Sequence, residues 1–177
     1  MGGDTLLIGV ALAIPDPWGS EIEGWRESFG DPQASSIPAH ITLLPPTRIS
    51  ESVLPAVREH LAAAAAATSA FDVQLRGAGT FRPVSPVVFV SVSQGISGCE
   101  QLEALIRSDV LERELDYPYH PHVTVAHDVP EAVLDLAFQS LAGFTASFVA
   151  REFALYVHGD DGVWQVFERF ALTPNGE

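Results

Sequence analysis

The chain is 177 residues long and 47% hydrophobic, with 23 acidic side chains against 9 basic ones and a formal net charge of -14. Long nucleic acids are held mainly by cationic side chains that neutralise phosphates, and here every basic residue is an arginine and there are few of them, which argues against an extended nucleic-acid partner and for a small phosphorylated ligand or a short RNA end. The length suits one domain, 1–177, built as two small lobes around a shared core, and Cys99 stands alone, so no intrachain disulfide forms and a reducing compartment fits.

The first apolar run, Thr5 to Ile14, follows Asp4 instead of a basic flank and stops at Pro15. It is too short to cross a bilayer and reads as a buried strand from Leu6 to Ile14, apolar on both faces and hence central. No membrane association is expected, and the protein reads as cytoplasmic and monomeric. Asp16-Pro17 supplies an N-cap and a first-turn proline for a helix whose Ile22, Trp25, Arg26 and Phe29 recur at helical spacing until Gly30 closes it. A polar linker, Asp31 to Pro38, leads to a strand at His40 that Pro45-Pro46 either ends or bends at an edge, with Arg48 just beyond.

Ser50 or Ser52 caps a second helix, which tolerates Pro55 in its first turn and continues through the alanine run Ala62 to Ala67. Phe71, Val73 and Leu75 alternate as a strand does before Gly77-Ala78-Gly79-Thr80-Phe81, a bulge or bend, and Pro86 to Val92 forms the next strand. Helical periodicity predicts a third helix from Gly98 to about Leu115 and a fourth from Pro130 to about Leu141. Phe144 to His158 and Val163 to Leu172 read as strands joined at Gly159-Asp160-Asp161-Gly162, a hairpin signal. The hairpins favour an α+β fold with antiparallel sheets over a doubly wound one.

Two stretches organise this pattern. His40-Ile41-Thr42-Leu43 and His122-Val123-Thr124-Val125 both read His, β-branched, Thr, aliphatic, about eighty residues apart. On a strand, His and Thr share one face while the other two residues form an apolar back. Two imidazoles with two hydroxyls suit the opening of a cyclic phosphodiester. One imidazole takes a proton from water and the other protonates the departing oxygen, since a histidine with pKa near ~6.5 serves either role. The hydroxyls of Thr42 and Thr124 donate to the non-bridging phosphate oxygens, and neither metal nor cofactor is required.

With both motifs placed, the chain resembles the 2H phosphoesterases, in particular the branch of 2'-5' RNA ligases and RNA 2',3'-cyclic phosphodiesterases. Gly77-x-Gly79-x-Phe81-x-Pro83 and the strand-rich end support the resemblance. It implies a bilobal α+β fold, with two antiparallel sheets flanked by helices and one motif strand per lobe facing a central cleft. It also implies metal-free opening of a 2',3'-cyclic phosphate, commonly to a 2'-phosphate, with His40 and His122 as the acid/base pair and Thr42 and Thr124 on the phosphate. His122 is assigned as base and His40 as acid. Ligation is the poorly favoured reverse reaction. RNA ends, cyclic mononucleotides and ADP-ribose 1'',2''-cyclic phosphate all fit such a cleft.

One departure stands out. Many members of that family carry an arginine shortly after the second motif, where this chain has His127, which strict alternation turns away from the His122 face. The substrate-binding cation then comes from Arg48 or Arg82, or is missing. Phe81 and Tyr119 are candidates to stack on a base or simply to pack, and His120 to line the cleft rim or cap the strand. His120-x-His122 also has metal-ligand spacing but lacks a convincing third ligand. His60 and His158 read as surface residues, and Trp18, Trp25 and Trp164 as core or rim anchors. The competing reading is a non-catalytic or regulatory phosphate- or nucleotide-binding module on the same fold.

Overall fold

In the computed structural model, which describes residues 3–174, the strands sort into two four-stranded sheets, antiparallel throughout. The first holds β1 (Thr5–Ala13), β2 (His40–Ser50), β7 (Glu152–His158) and β8 (Trp164–Ala171) in the order β2-β1-β7-β8. The second holds β3 (Phe71–Thr80), β4 (Val87–Gln94), β5 (His122–His127) and β6 (Thr145–Ala150) in the order β5-β4-β3-β6. Four helices, α1 (Trp18–Ser28), α2 (Leu54–Ala66), α3 (Ile96–Ile106) and α4 (Glu131–Ser140), flank them. This is the α+β architecture expected, with β1 central as its two apolar faces require.

The two sheets share a plan. β1-α1-β2 and β4-α3-β5 are each a strand, a helix and a strand that returns antiparallel to the edge of its own sheet. The helices are exchanged, α1 packing on β5 and α3 on β2, so each motif strand is backed by the other half's helix. One buried cluster runs through both sheets and includes Ile8, Val10 and Leu12 of β1, Val88 and Val90 of β4, and Leu102 and Ile106 of α3. Burying so many branched side chains from two sheets in one cluster is the main reason the halves stay together.

Local chemistry explains most element ends. Asp16 accepts from the Ser20 backbone amide at 3.0 Å and from its hydroxyl at 2.6 Å, holding the first turn of α1. Gly30 (φ +76°) makes the left-handed turn after that helix. Gly77 (φ +75°) lies where β3 breaks register with β4 between Leu75 and Ala78, so the glycine segment is a bulge. β2 passes through Pro45-Pro46 instead of ending there. It is an edge strand, and the two prolines fall where pairing with β1 skips from Leu44 to Thr47, so no ladder hydrogen bond is asked of them.

Two expectations are corrected. The helix expected from Gly98 to Leu115 ends at Ile106, because Arg107 turns out of helical geometry. Val110 and Leu111 belong to a separate short turn, Asp109–Leu111, that begins with Asp109 at φ +50°. The strand expected from Phe144 to His158 is two strands, parted at Arg151 where the chain leaves the second sheet for the first. The alternation changes phase there, from Ala146, Phe148 and Ala150 to Phe153, Leu155 and Val157, and the adjacent charged pair Arg151-Glu152 marks the crossing. His60 is also no free surface residue, since its Nε2 donates to the Ile106 carbonyl at 2.9 Å and caps the end of α3. Among the described residues no helix is long and apolar enough to cross a membrane.

Candidate active site

His40 opens β2 and His122 opens β5. Behind them Ile41, Leu43, Val123 and Val125 are 0–1% exposed, so each strand is pinned by its apolar back and its front is fixed in direction. The two imidazoles are held alike. His40 Nδ1 lies 2.8 Å from the Pro38 carbonyl, and His122 Nδ1 lies 2.7 Å from the His120 carbonyl. A carbonyl only accepts, so each Nδ1 carries the hydrogen and each Nε2 is left bare when the ring is neutral. Both rings are thus set to offer Nε2.

The likeness extends to the backbone. Pairing of β2 with β1 jumps from Thr42 to Leu44, and pairing of β5 with β4 jumps from Thr124 to Ala126, leaving Leu43 and Val125 as the extra residue of a bulge in each strand. An extra residue shifts the alternation that follows it. Val125 and Ala126 are both fully buried, and His127 returns to the side of His122 and Thr124. The strict-alternation argument that turned His127 away is therefore corrected. His127 Nε2 lies 3.5 Å from Asp128 Oδ1.

Two cavities adjoin at Thr42. The smaller, about 180 Å³, is lined by His40, Thr42, Arg26, Gln33, Tyr156 and Trp164 among others. The larger, about 600 Å³, is lined by Thr42, His122, Phe81, Tyr117, Tyr119 and His120 among others. Thr124 lines neither, although its hydroxyl and that of Thr42 make no hydrogen bond to other described residues. Tyr119, in the segment before β5, donates from its hydroxyl to the Thr42 carbonyl at 2.7 Å, so it spans the two halves while also lining the larger cavity. Phe81 packs on Phe89 with ring centres 4.5 Å apart and sets its edge against His122 at 4.9 Å. It wedges the imidazole as well as lining the cavity. His120 is exposed and lines the larger cavity.

The cations expected from the sequence are elsewhere. Arg82 donates to Asp135 on α4 at 2.8 Å and to the Thr80 hydroxyl, and Arg48 reaches toward the Thr5 hydroxyl at 3.4 Å; neither lines a cavity at the motifs. The arginines that do are Arg26 and Arg113. Arg26 was legible only as one position of a helical stripe. It is 7% exposed, and its Nε donates to Asp31, whose side chain is fully buried, at 2.8 Å.

Burial sets the electrostatics. It pushes His40 down to about 4, with the positive charges of Arg26 and His122 adding to the effect against the Pro38 hydrogen bond. Burial lowers His122 below its ordinary value too, aided by His120. Both rings are therefore neutral in the free protein near pH 7. Tyr119 is pushed up by burial and stays protonated as a donor. No group of three His, Cys, Asp or Glu side chains among the described residues is arranged to hold a metal ion.

Comparison with known proteins agrees with this fold. The family model of the 2'-5' RNA ligase superfamily matches residues 14–162. The crystal structure of E. coli LigT complexed with 3'-AMP superposes with a TM-score of 0.76 at 25% identity, covering 96% of this chain and 99% of that one. A Bacillus licheniformis protein named as a candidate phosphoesterase is 30% identical over 144 residues, 80% of this chain and 85% of its own. One from Halalkalibacterium halodurans, named likewise, is 26% identical over 166 residues, 93% of this chain and 96% of its own.

Proposed function

The chain belongs to the 2'-5' RNA ligase superfamily, whose fold is that of a 2H phosphoesterase, and from that premise we propose that it opens the 2',3'-cyclic phosphate of a small nucleotide or RNA end and leaves a 2'-phosphate. The observation that carries the reading is the matched pair of imidazoles, each with Nδ1 tied to a carbonyl two residues back and Nε2 left free. LigT, crystallised with 3'-AMP, supports a nucleoside phosphate as the kind of ligand such a cleft takes.

Water attacks phosphorus opposite the ribose O3'. One Nε2 takes the proton from water, the O3'–P bond breaks, and the protonated Nε2 of the other ring delivers its proton to O3'. The hydroxyls of Thr42 and Thr124 donate to the non-bridging oxygens, where charge builds up. Geometry treats the rings alike, and charge state separates them. His40, depressed the further by burial and by Arg26, suits the base; His122 is the better proton carrier once phosphate is bound. This polarity reverses the one expected from the sequence.

Incubation with 2',3'-cyclic AMP and the other cyclic mononucleotides, with products assigned by phosphorus NMR, tests the reading. Formation of the 2'-monophosphate, undiminished by exhaustive EDTA, is expected. Stoichiometric binding with no turnover of any cyclic phosphate would instead leave the non-catalytic binding module.

A further inference from the structure

Arg26 is an unusual residue for a helix core. A guanidinium has five N–H donors, and Arg26 uses only Nε within the described residues, toward Asp31. No buried polar side-chain atom among them lacks a partner, so the terminal Nη groups are not sealed in. Arg26 lines the small cavity together with His40 and Thr42, and its Nη groups are the donors it has free to use there. Asp31 sits behind, its Oδ2 on Arg26 and its Oδ1 accepting from the Gln33 amide at 2.7 Å. The carboxylate holds the guanidinium at Nε and leaves its Nη donors uncommitted.

We propose that Arg26 is the anion anchor of this site, its two Nη groups binding the non-bridging oxygens of the phosphate held beside His40 and Thr42. The inference rests on the reading of the cleft as a phosphodiesterase site and adds the cation that neither motif supplies. Three considerations support it. Arg26, His40 and Thr42 line one cavity of about 180 Å³, so an anion beside His40 and Thr42 shares that small space with Arg26. A buried ion pair is a poor source of stability, because two charges lose their water to gain one contact, whereas a fixed guanidinium suits bidentate phosphate recognition. The same charge adds to the burial that holds His40 unprotonated, so a single residue both draws in the substrate anion and favours the neutral ring beside it.

The test is a titration with inorganic phosphate followed by calorimetry, alongside turnover of 2',3'-cyclic AMP, on wild type, Arg26→Gln, Arg26→Lys and the double variant Arg26→Gln/Asp31→Asn. The double variant removes both members of the pair and leaves no lone buried charge should Arg26→Gln alone fail to fold. Phosphate affinity should fall tenfold or more in the glutamine variants and recover in part with lysine. A folded glutamine variant that binds phosphate within twofold of wild type overturns the proposal. The unaltered protein offers a check that needs no variant: the nitrogen NMR signals of the Arg26 Nη groups should shift with those of His40 as phosphate is added. Phosphate binding that leaves them unmoved, or no binding at all, also overturns it. Failure of the parent reading is separate, because absence of turnover on any cyclic phosphate leaves the phosphate titration intact.

Discussion

The hydroxyl of Tyr119 donates a 2.7 Å hydrogen bond to the carbonyl of Thr42, joining the segment that leads into β5 to the strand β2 of the other sheet. Thr42 lines both cavities, so this bond fixes the residue at which they meet. Tyr119→Phe removes the bond and little else. A loss of about 1 kcal/mol in stability is expected from one net hydrogen bond. Turnover should fall about fivefold with the KM for cyclic AMP nearly unchanged, since misplacing a catalytic strand costs orientation more than affinity. Melting and steady-state kinetics check both, and unchanged turnover would reduce Tyr119 to packing.

Replacing His40 or His122 by Ala should each cost roughly a hundredfold or more in turnover, the usual worth of a lost general acid or base. The double variant should be little worse than either single one, because the two rings act in one step. The pH profiles then assign the roles. Loss of the base removes the fall in rate at acid pH, and loss of the acid removes the fall at alkaline pH. With His40 as base, the profile of His40→Ala keeps only its alkaline limb.

Stability should also depend on pH through His40. Its folded value of about 4 lies below the 6.5 of an ordinary histidine. Between those values the unfolded chain takes up a proton that the folded one refuses, so stability is full above about pH 6.5 and is lost as pH falls toward 4. Carboxylates contribute to the acid end of the same range. Melting temperatures recorded from pH 7 to 4 should therefore decline less steeply in His40→Ala than in wild type. Parallel curves would mean that the ring is hydrated and titrates normally.

Catalytic efficiency should be flat or falling as RNA with a cyclic phosphate end grows from one nucleotide to ten. The chain carries -14 and no lysine. Among the described residues Arg58, Arg82, Arg107 and Arg169 are each within 4 Å of a carboxylate, which leaves little cation to follow a backbone. Affinity should depend weakly on salt, since few counterions are released when few phosphates are neutralised. A steep rise with length that collapses in salt would reveal a tracking groove, for which Arg48 and Arg151 would be the first candidates.

The fold class and the two motif strands were legible because strand alternation and turn residues are local. Ile41, Leu43, Val123 and Val125 had to share a buried side, and they do. Where local pattern is ambiguous, the sequence misled. The apolar spacing of Leu111 continues that of α3 although the chain has already turned, and the run from Phe144 to His158 has apolar alternation on both sides of its change of sheet, with only a shift of phase at Arg151-Glu152 between them. The paired bulges at Leu43 and Val125 leave no mark in composition, yet the second decides which way His127 faces.

The sequence by itself determined the chemistry on offer: two motif imidazoles, two motif hydroxyls and a net charge of -14. Only the tertiary structure decided how that chemistry is set. The tautomer of each ring follows from a carbonyl placed at 2.7–2.8 Å by the turn into its strand. The neutral state of His40 follows from burial between two sheets and from a charge on α1. Arg26 lines the smaller cavity beside Tyr156 and Trp164, which lie more than a hundred residues further along the chain. Contacts of that kind join residues far apart in sequence, so no local pattern can announce them.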